Sequence, residues 1–226
     1  MSCEYQPPTT NHSYMTFDLY VDTSRKGISM AIASPDGSAY EEIIEPSAKG
    51  ETLSANLDTL LERSGATLDD VKRVMVTVGP GSFSGLRTGV AFCQGLCFSG
   101  KRNLYGVTTL QALECFAQAK EGAPVAVVIR ARNGYWYLRL NGTEKFIDTA
   151  EVIQALTSNK TTHVVADEAA ATDAELKAVF DELSASITTD TGKPLSQWAP
   201  LFDTVKPTLI QEANYIQPSY FEKLKA

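Results

Sequence analysis

The sequence predicts an α/β protein made of two subdomains, each a mixed β-sheet with helices on its faces. Three observations predict it. The chain has 226 residues, 43% hydrophobic and 21% charged, enough for a buried core in each of two halves. Its apolar residues alternate between strand and helix spacing in the order β-β-β-α-β-α-β-α. The second half then repeats that order, without a residue-level repeat.

Each element has a local reason. Phe17 to Asp22 alternates as a strand and ends in the polar turn Asp22-Thr23-Ser24. Ile28 to Ala33 is a second strand, Pro35-Asp36-Gly37 a turn, and Ala39 to Ile44 a third strand. Leu53, Leu57, Leu60 and Leu61 mark one face of a helix that Gly65 stops. Thr67 with Asp70 resembles a capping box. Arg73 to Val78 is a strand, followed by a Gly-Pro-Gly turn and a long helix. Asn103 to Val107 is the next strand, and Thr108 or Thr109 caps a helix reaching about Lys120. In the second half, strands are expected at Val125 to Arg130, Tyr135 to Leu140 and Glu144 to Ile147, joined by Asn133-Gly134 and Asn141-Gly142 hairpin turns. Asp148 with Glu151 caps a helix to about Leu156, His163 to Ala166 is a strand, and Thr172 with Glu175 caps a helix to Leu183. A short strand near Ser186 to Thr188, a helix from about Pro194, and an extended aromatic arm at Tyr215 to Phe221 complete the set. The expected division is a loose tail at 1–14, an N-terminal subdomain at 15–108 and a C-terminal subdomain at 109–226. Two such units resemble the actin, Hsp70 and sugar-kinase (ASKHA) superfamily.

The bulk properties exclude several functions. A formal net charge of −7 argues against a general polyanion-binding surface. No apolar run approaches the roughly 20 residues of a membrane span, and the first residues lack a signal-peptide pattern. Four irregularly spaced cysteines fit a reduced cytoplasm better than a disulfide scaffold. Cys93 and Cys97 lie on one helix face with nothing to complete a zinc set, so small buried hydrophobes are the expectation.

The stretch Arg73 to Gly100 carries most of the information. It lacks the Gly-Lys of a phosphate loop and the order of a dinucleotide fingerprint. A hydrolase elbow would place Phe83 at the nucleophile position. What remains is a strand-turn-helix junction: Gly79 and Gly81 shape the turn, and Ser82 or Ser84 caps the helix. Gly85, Gly89, Cys93 and Cys97 recur every four residues, as do Ala91 and Gly95. Three glycines in a helix cost on the order of 2–3 kcal/mol relative to alanine. A close approach of another backbone would offset that cost, either from the Leu53 to Glu62 helix of the same chain or from a second subunit. Arg87, in the helix's first turn, is either a solvated cation or the partner of a carboxylate or phosphate.

At GPGSFSGLRTGVAFCQGL the chain resembles the TsaB (YeaZ) family. The Asp22-Thr23-Ser24 strand end, the Leu-rich helix and the stretch Tyr105 to Leu113 match as well, so that the resemblance spans about Leu19 to Leu113. The second half matches in element order and in the Pro218–Tyr220 tail. The resemblance implies a bacterial cytoplasmic, non-catalytic subunit of the machinery that places threonylcarbamoyl on the adenosine next to the tRNA anticodon. It implies pairing with TsaD, which carries the metal and the transfer chemistry, and with the ATPase TsaE, while TsaC or a relative supplies threonylcarbamoyl-adenylate. It also implies a homodimer when TsaD is missing, and contact with tRNA only through the complex. The pairing helices would be about Glu51–Ser64 and Ser84–Ser99. The expected partner contacts are Gly79, Gly81, Ser82, Gly85, Arg87, Gly89 and Cys93, with Leu53 and Leu57.

The sequence departs from the family at Ser84, at Lys49-Gly50-Glu51, and at Arg130-Ala131-Arg132, where Asp-Ala-Arg is common. Asp22, Thr23 and Ser24 read as a vestigial phosphate loop, and Asp167 to Ala171 has no glycine pair to approach an adenosine. The chain is expected to have no cofactor and no metal of its own, with any ATP or ADP at the subunit interface. The alternative is a stand-alone ATP-dependent phosphotransferase or ATPase of the actin-like superfamily.

Overall fold

The computed structural model describes residues 16–25, 27–46, 52–117, 123–132, 134–189 and 194–216. The N-terminal tail, Lys49-Gly50-Glu51, Asn133 of the first hairpin turn, the stretch up to Lys120 and the Pro218–Tyr220 tail lie outside the described residues.

The first sheet holds β1 (Phe17–Asp22), β2 (Ile28–Ala33), β3 (Tyr40–Glu45), β4 (Val71–Gly79) and β5 (Asn103–Thr108), in the order β3-β2-β1-β4-β5. The hairpin strands pair antiparallel, and β4 lies parallel to both β1 and β5. The second sheet holds β6 (Val125–Arg132), β7 (Tyr135–Leu140), β8 (Thr143–Asp148), β9 (His163–Ala166) and β10 (Ser186–Thr189). Its order, β8-β7-β6-β9-β10 read from that edge, repeats the first, with the same mix of directions. The duplication expected from element order is therefore a duplication of topology. This is a two-subdomain α/β architecture, each subdomain a mixed sheet with flanking helices.

Among the described residues, seven helices connect and cover the sheets: α1 (Leu53–Ser64), α2 (Phe83–Cys97), α3 (Thr109–Glu114), α4 (Thr149–Ser158), α5 (Glu168–Thr172), α6 (Ala174–Glu182) and α7 (Leu201–Thr204). Single 3-10 turns occupy Leu68–Asp70 and Leu195–Trp198. Their ends follow the sequence. Gly65 closes α1 in a left-handed conformation with φ 66°. Capping boxes start the Leu68–Asp70 turn, α3 and α4. Two differences have local causes. Asp167 caps α5 inside the expected Asp167 to Ala171 loop, so Thr172 ends that helix and Asp173 caps α6. The helix expected to reach Lys120 ends at Glu114, where Phe116 turns into the core.

Three cores stack through the molecule. The outer core packs Leu53, Leu57 and Leu60 of α1 and Val90, Cys93 and Cys97 of α2 on one face of the first sheet. The middle core joins Tyr20, Met75 and Val107 of the first sheet to Val127, Ile129 and Val165 of the second, with Leu110 and Leu113 of α3 between. The third core packs α4 and α6 on the far face of the second sheet.

After β10 the chain returns to the first sheet, within the stretch expected as part of the C-terminal subdomain. Leu195 N donates to Tyr40 Oη at 3.1 Å. Trp198 and Phe202 pack against Tyr20, and Phe202 also meets Tyr105 edge-on. Thr208 N and Asn214 N donate to the carbonyls of Leu104 and Val78. Residues 195–216 are thus part of the first subdomain's packing. This seating is not legible in the sequence, because an extended segment with scattered aromatics carries no information on which sheet it will meet.

Candidate partner-binding face

β4 leads into the Gly79-Pro80-Gly81 turn and then into α2, which Ser82 caps by accepting from Gly85 N at 3.3 Å. The turn is fixed from the side of β1. Ser82 N donates to Ser24 O at 2.6 Å. A Cβ at Gly81 would collide with the Ser24 carbonyl, one at Gly85 with the Thr23 carbonyl, and one at Gly89 with Thr23 Oγ1. The close approach that Gly81, Gly85 and Gly89 accommodate is the Thr23–Ser24 turn of the same chain rather than the Leu53 to Glu62 helix. Gly79, at φ +115°, makes room for the Asn214 carbonyl, 2.5 Å from where a Cβ would stand.

The other expected contacts divide by burial. Leu53, Leu57 and Cys93 lie in the outer core beneath the helices. Burial pushes the Cys93 thiol up and the Cys97 thiol up to about 11, so both stay protonated at neutral pH. Arg87 is exposed, with its guanidinium 5.3 Å over the Phe83 ring, which stacks on Tyr215 at 5.2 Å.

The outward face of α2 consists of Ser84, Arg87, Thr88, Ala91 and Gly95, with Phe98 at its end. Ser84, Thr88, Ala91 and Gly95 stand at helical spacing on one side, and nothing lies within 4 Å of a Cβ built at Gly95. This second stripe of small residues remains open after the first has been used internally. The sequence signalled it through the Ala91–Gly95 spacing; Ser84 and Thr88 were missed because neither is a glycine.

Beside the N-terminal end of α2, a cleft of about 580 Å³ opens between the two sheets, touching Ser24, Arg25, Ser82, Arg130 and Asp167. Asp167, which lines it, and Asp22, two residues before Ser24, are both engaged. Asp22 is buried, and one carboxylate oxygen accepts from Ser24 N, Ser24 Oγ and Thr77 Oγ1 at 2.9, 2.6 and 2.9 Å. The other accepts from Arg25 Nε and Nη2 at 3.3 and 2.9 Å. Burial alone would raise this carboxyl, but the Arg25 charge and the Ser24 hydrogen bonds outweigh it and hold the group below its ordinary value. Asp167 accepts from Arg130 N and Ala170 N, both at 2.8 Å. The Arg130 guanidinium lies over Trp136 at 4.7 Å and within 3.9 Å of Asp173. Among the described residues, no three histidine, cysteine, aspartate or glutamate side chains gather as a metal set.

The family model for TsaD, tRNA N6-adenosine threonylcarbamoyltransferase, matches residues 47–181, more than half of the chain. The tRNA threonylcarbamoyladenosine biosynthesis protein TsaB of Escherichia coli is 33% identical over 123 residues. The chain belongs to the family that the TsaD model describes. Within it the chain is similar to the TsaB (YeaZ) proteins. The match to E. coli TsaB covers 52% of this chain and 52% of that protein, about half the length of each. Two solved Pseudomonas aeruginosa structures extend the likeness of fold to nearly the whole molecule. One, described as similar to peptidase YeaZ, aligns over 90% of this chain and all of that one at 21% identity with a TM-score of 0.66. The other, YeaZ itself, aligns over 91% of this chain and all of that one at 21% identity with a TM-score of 0.59. The TsaB fold therefore accounts for the second half as well, where sequence likeness is weak.

Proposed function

We propose that this TsaB-family chain is a non-catalytic subunit of the machinery that makes threonylcarbamoyladenosine next to the tRNA anticodon. It acts by docking onto a TsaD-type partner, together with TsaE, and the partner performs the transfer. The observation that carries this reading is the open, nearly uncharged small-residue face of α2 on a member of this family. Small side chains let a second helix approach closely, so the face suits a helix of a related subunit. The state of Asp22 supports it: a carboxylate receiving five hydrogen bonds has no lone pair to spare for a magnesium ion unless Arg25 is displaced. ATP or ADP belongs at the junction of the two subunits, and without TsaD the same face pairs two copies of this chain.

The test is Ala91→Trp. Ala91 is exposed in the free chain, so the bulky ring leaves the fold intact. The variant is expected to lose co-purification with TsaD and to abolish modification in a reconstituted system, at an unchanged melting temperature. Full complex formation by the variant would overturn the reading. Ala91 is a better site than Gly89, where any side chain would strike Thr23 and confuse unfolding with loss of docking.

The cleft favours a second reading, an ATP-dependent phosphotransferase, since it joins both halves and holds Arg25, Ser24 and Ser82. That reading requires Mg-ATP binding by the isolated chain, removed by Asp22→Ala; calorimetry without heat of binding excludes it.

A further inference from the structure

Beyond α7 the chain is extended over residues 205–216 and runs beside α2 in the opposite direction. Gln94 Nε2, in the second half of α2, donates to Gln211 O at 3.0 Å, while Tyr215 reaches Phe83 at the helix start. The arm also meets β5 and the end of β4, where Thr208 N and Asn214 N donate to Leu104 O and Val78 O at 2.9 and 2.6 Å. Two glycines leave the space it fills. A Cβ at Gly79 would press on the Asn214 carbonyl, and one at Gly106 would collide with the Gln211 side chain. The arm is a seated part of the first subdomain.

An arm that only shielded a sheet edge would turn its apolar side chains inward. This one leaves Leu209, Ile210 and Tyr215 exposed at 42, 74 and 40%, beside Phe83 at 60%. With Phe98 at the far end of α2, five of the eight exposed large hydrophobic residues found among the described residues lie on α2 or the arm. A concentration of this kind marks an interaction surface. On α2 itself Arg87 is the single ionised side chain among the exposed residues, while the arm carries exposed Lys206 and Glu212 farther along.

Resting on the docking reading above, we propose that the arm is a third element of the partner-binding face beside α1 and α2, with Tyr215 on Phe83 as its contact and Arg87 as its charge. The occupant is an apolar helical surface of the TsaD-type partner that brings a carboxylate to Arg87. An aromatic pair flanked by arginine is the composition of an interface hot spot, and a cation beside an apolar contact selects an acidic partner group.

The experiment measures binding of TsaD from the same cell to the full chain and to five variants, with melting temperatures alongside. Tyr215→Ser and Arg87→Glu are each expected to weaken binding by about tenfold or more, with Arg87→Lys retaining most of the affinity. Ile187→Asp, on β10 and away from this face, serves as the control and is expected to bind normally. Amide exchange at α2 separates a lost contact from a loosened arm: protection unchanged in Tyr215→Ser assigns the loss to contact. Normal binding by Tyr215→Ser, with Ala91→Trp inactive, overturns the role of the arm and leaves α2 docking in place. Normal binding by Ala91→Trp overturns both. Equal weakening by Ile187→Asp removes the specificity and with it the proposal.

Discussion

Asp22 illustrates how far a single residue can be read before its surroundings are known. Its position at the end of a strand is legible, and so is its likeness to a phosphate-loop acid. Its occupation is not, because Thr77 lies 55 residues away and Arg25 reaches it only in the folded turn. The lowered pKa of this carboxyl has a sign. A group whose folded value lies below its unfolded value stabilises the protein above the unfolded value, and that stability is lost as pH falls through the folded one. Asp22→Asn is therefore expected to cost about 2 kcal/mol at neutral pH, below the full cost of breaking a buried pair because the Arg25 side chain is 34% exposed. The difference from the parent chain should shrink as pH drops below about 4. Urea denaturation at a series of pH values checks both the size and the direction.

The helix α2 shows why an element can be recognised while its faces are confused. Its start, its cap and its wealth of small residues are plain in the sequence. Which small residues serve the chain itself depends on the Thr23–Ser24 turn, contributed by a strand some sixty residues earlier. Periodicity locates faces but does not label their partners. The same gap explains Leu53, Leu57 and Cys93, whose regular spacing marks a buried side as readily as a binding one. The two stripes can be separated by substitution. Gly89→Ala gains helix propensity but drives a methyl into Thr23, and is expected to destabilise the chain by about 2 kcal/mol. Gly95→Ala meets open space and is expected to stabilise it by about 0.5–1 kcal/mol. Thermal melts of the two variants should move in opposite directions; a shared direction would contradict this assignment of faces.

For the whole molecule, the duplicated order of strands and helices was legible because each sheet is assembled from neighbours in sequence. The joining of the sheets was not, since it rests on side chains that come together only across the middle core. That shared core predicts one unfolding transition. Trp136 lies in the third core and Trp198 in the middle core against Tyr20, so the two tryptophans report from different parts of the molecule. Single-tryptophan chains should unfold at the same denaturant concentration, and Phe202→Ala should lower both midpoints together, by an amount equivalent to about 3 kcal/mol. Separate midpoints would mean that the halves fold independently.

The return of residues 194–216 to the first sheet also orders events during synthesis. A ribosome finishes every strand of that sheet, and α1 and α2 with them, well before it has made Phe202 or Tyr215. The first subdomain then waits, its seats at Gly79 and Gly106 vacant, while the entire second sheet is translated. The arm that seats on α2 is therefore made only after the second sheet has been translated.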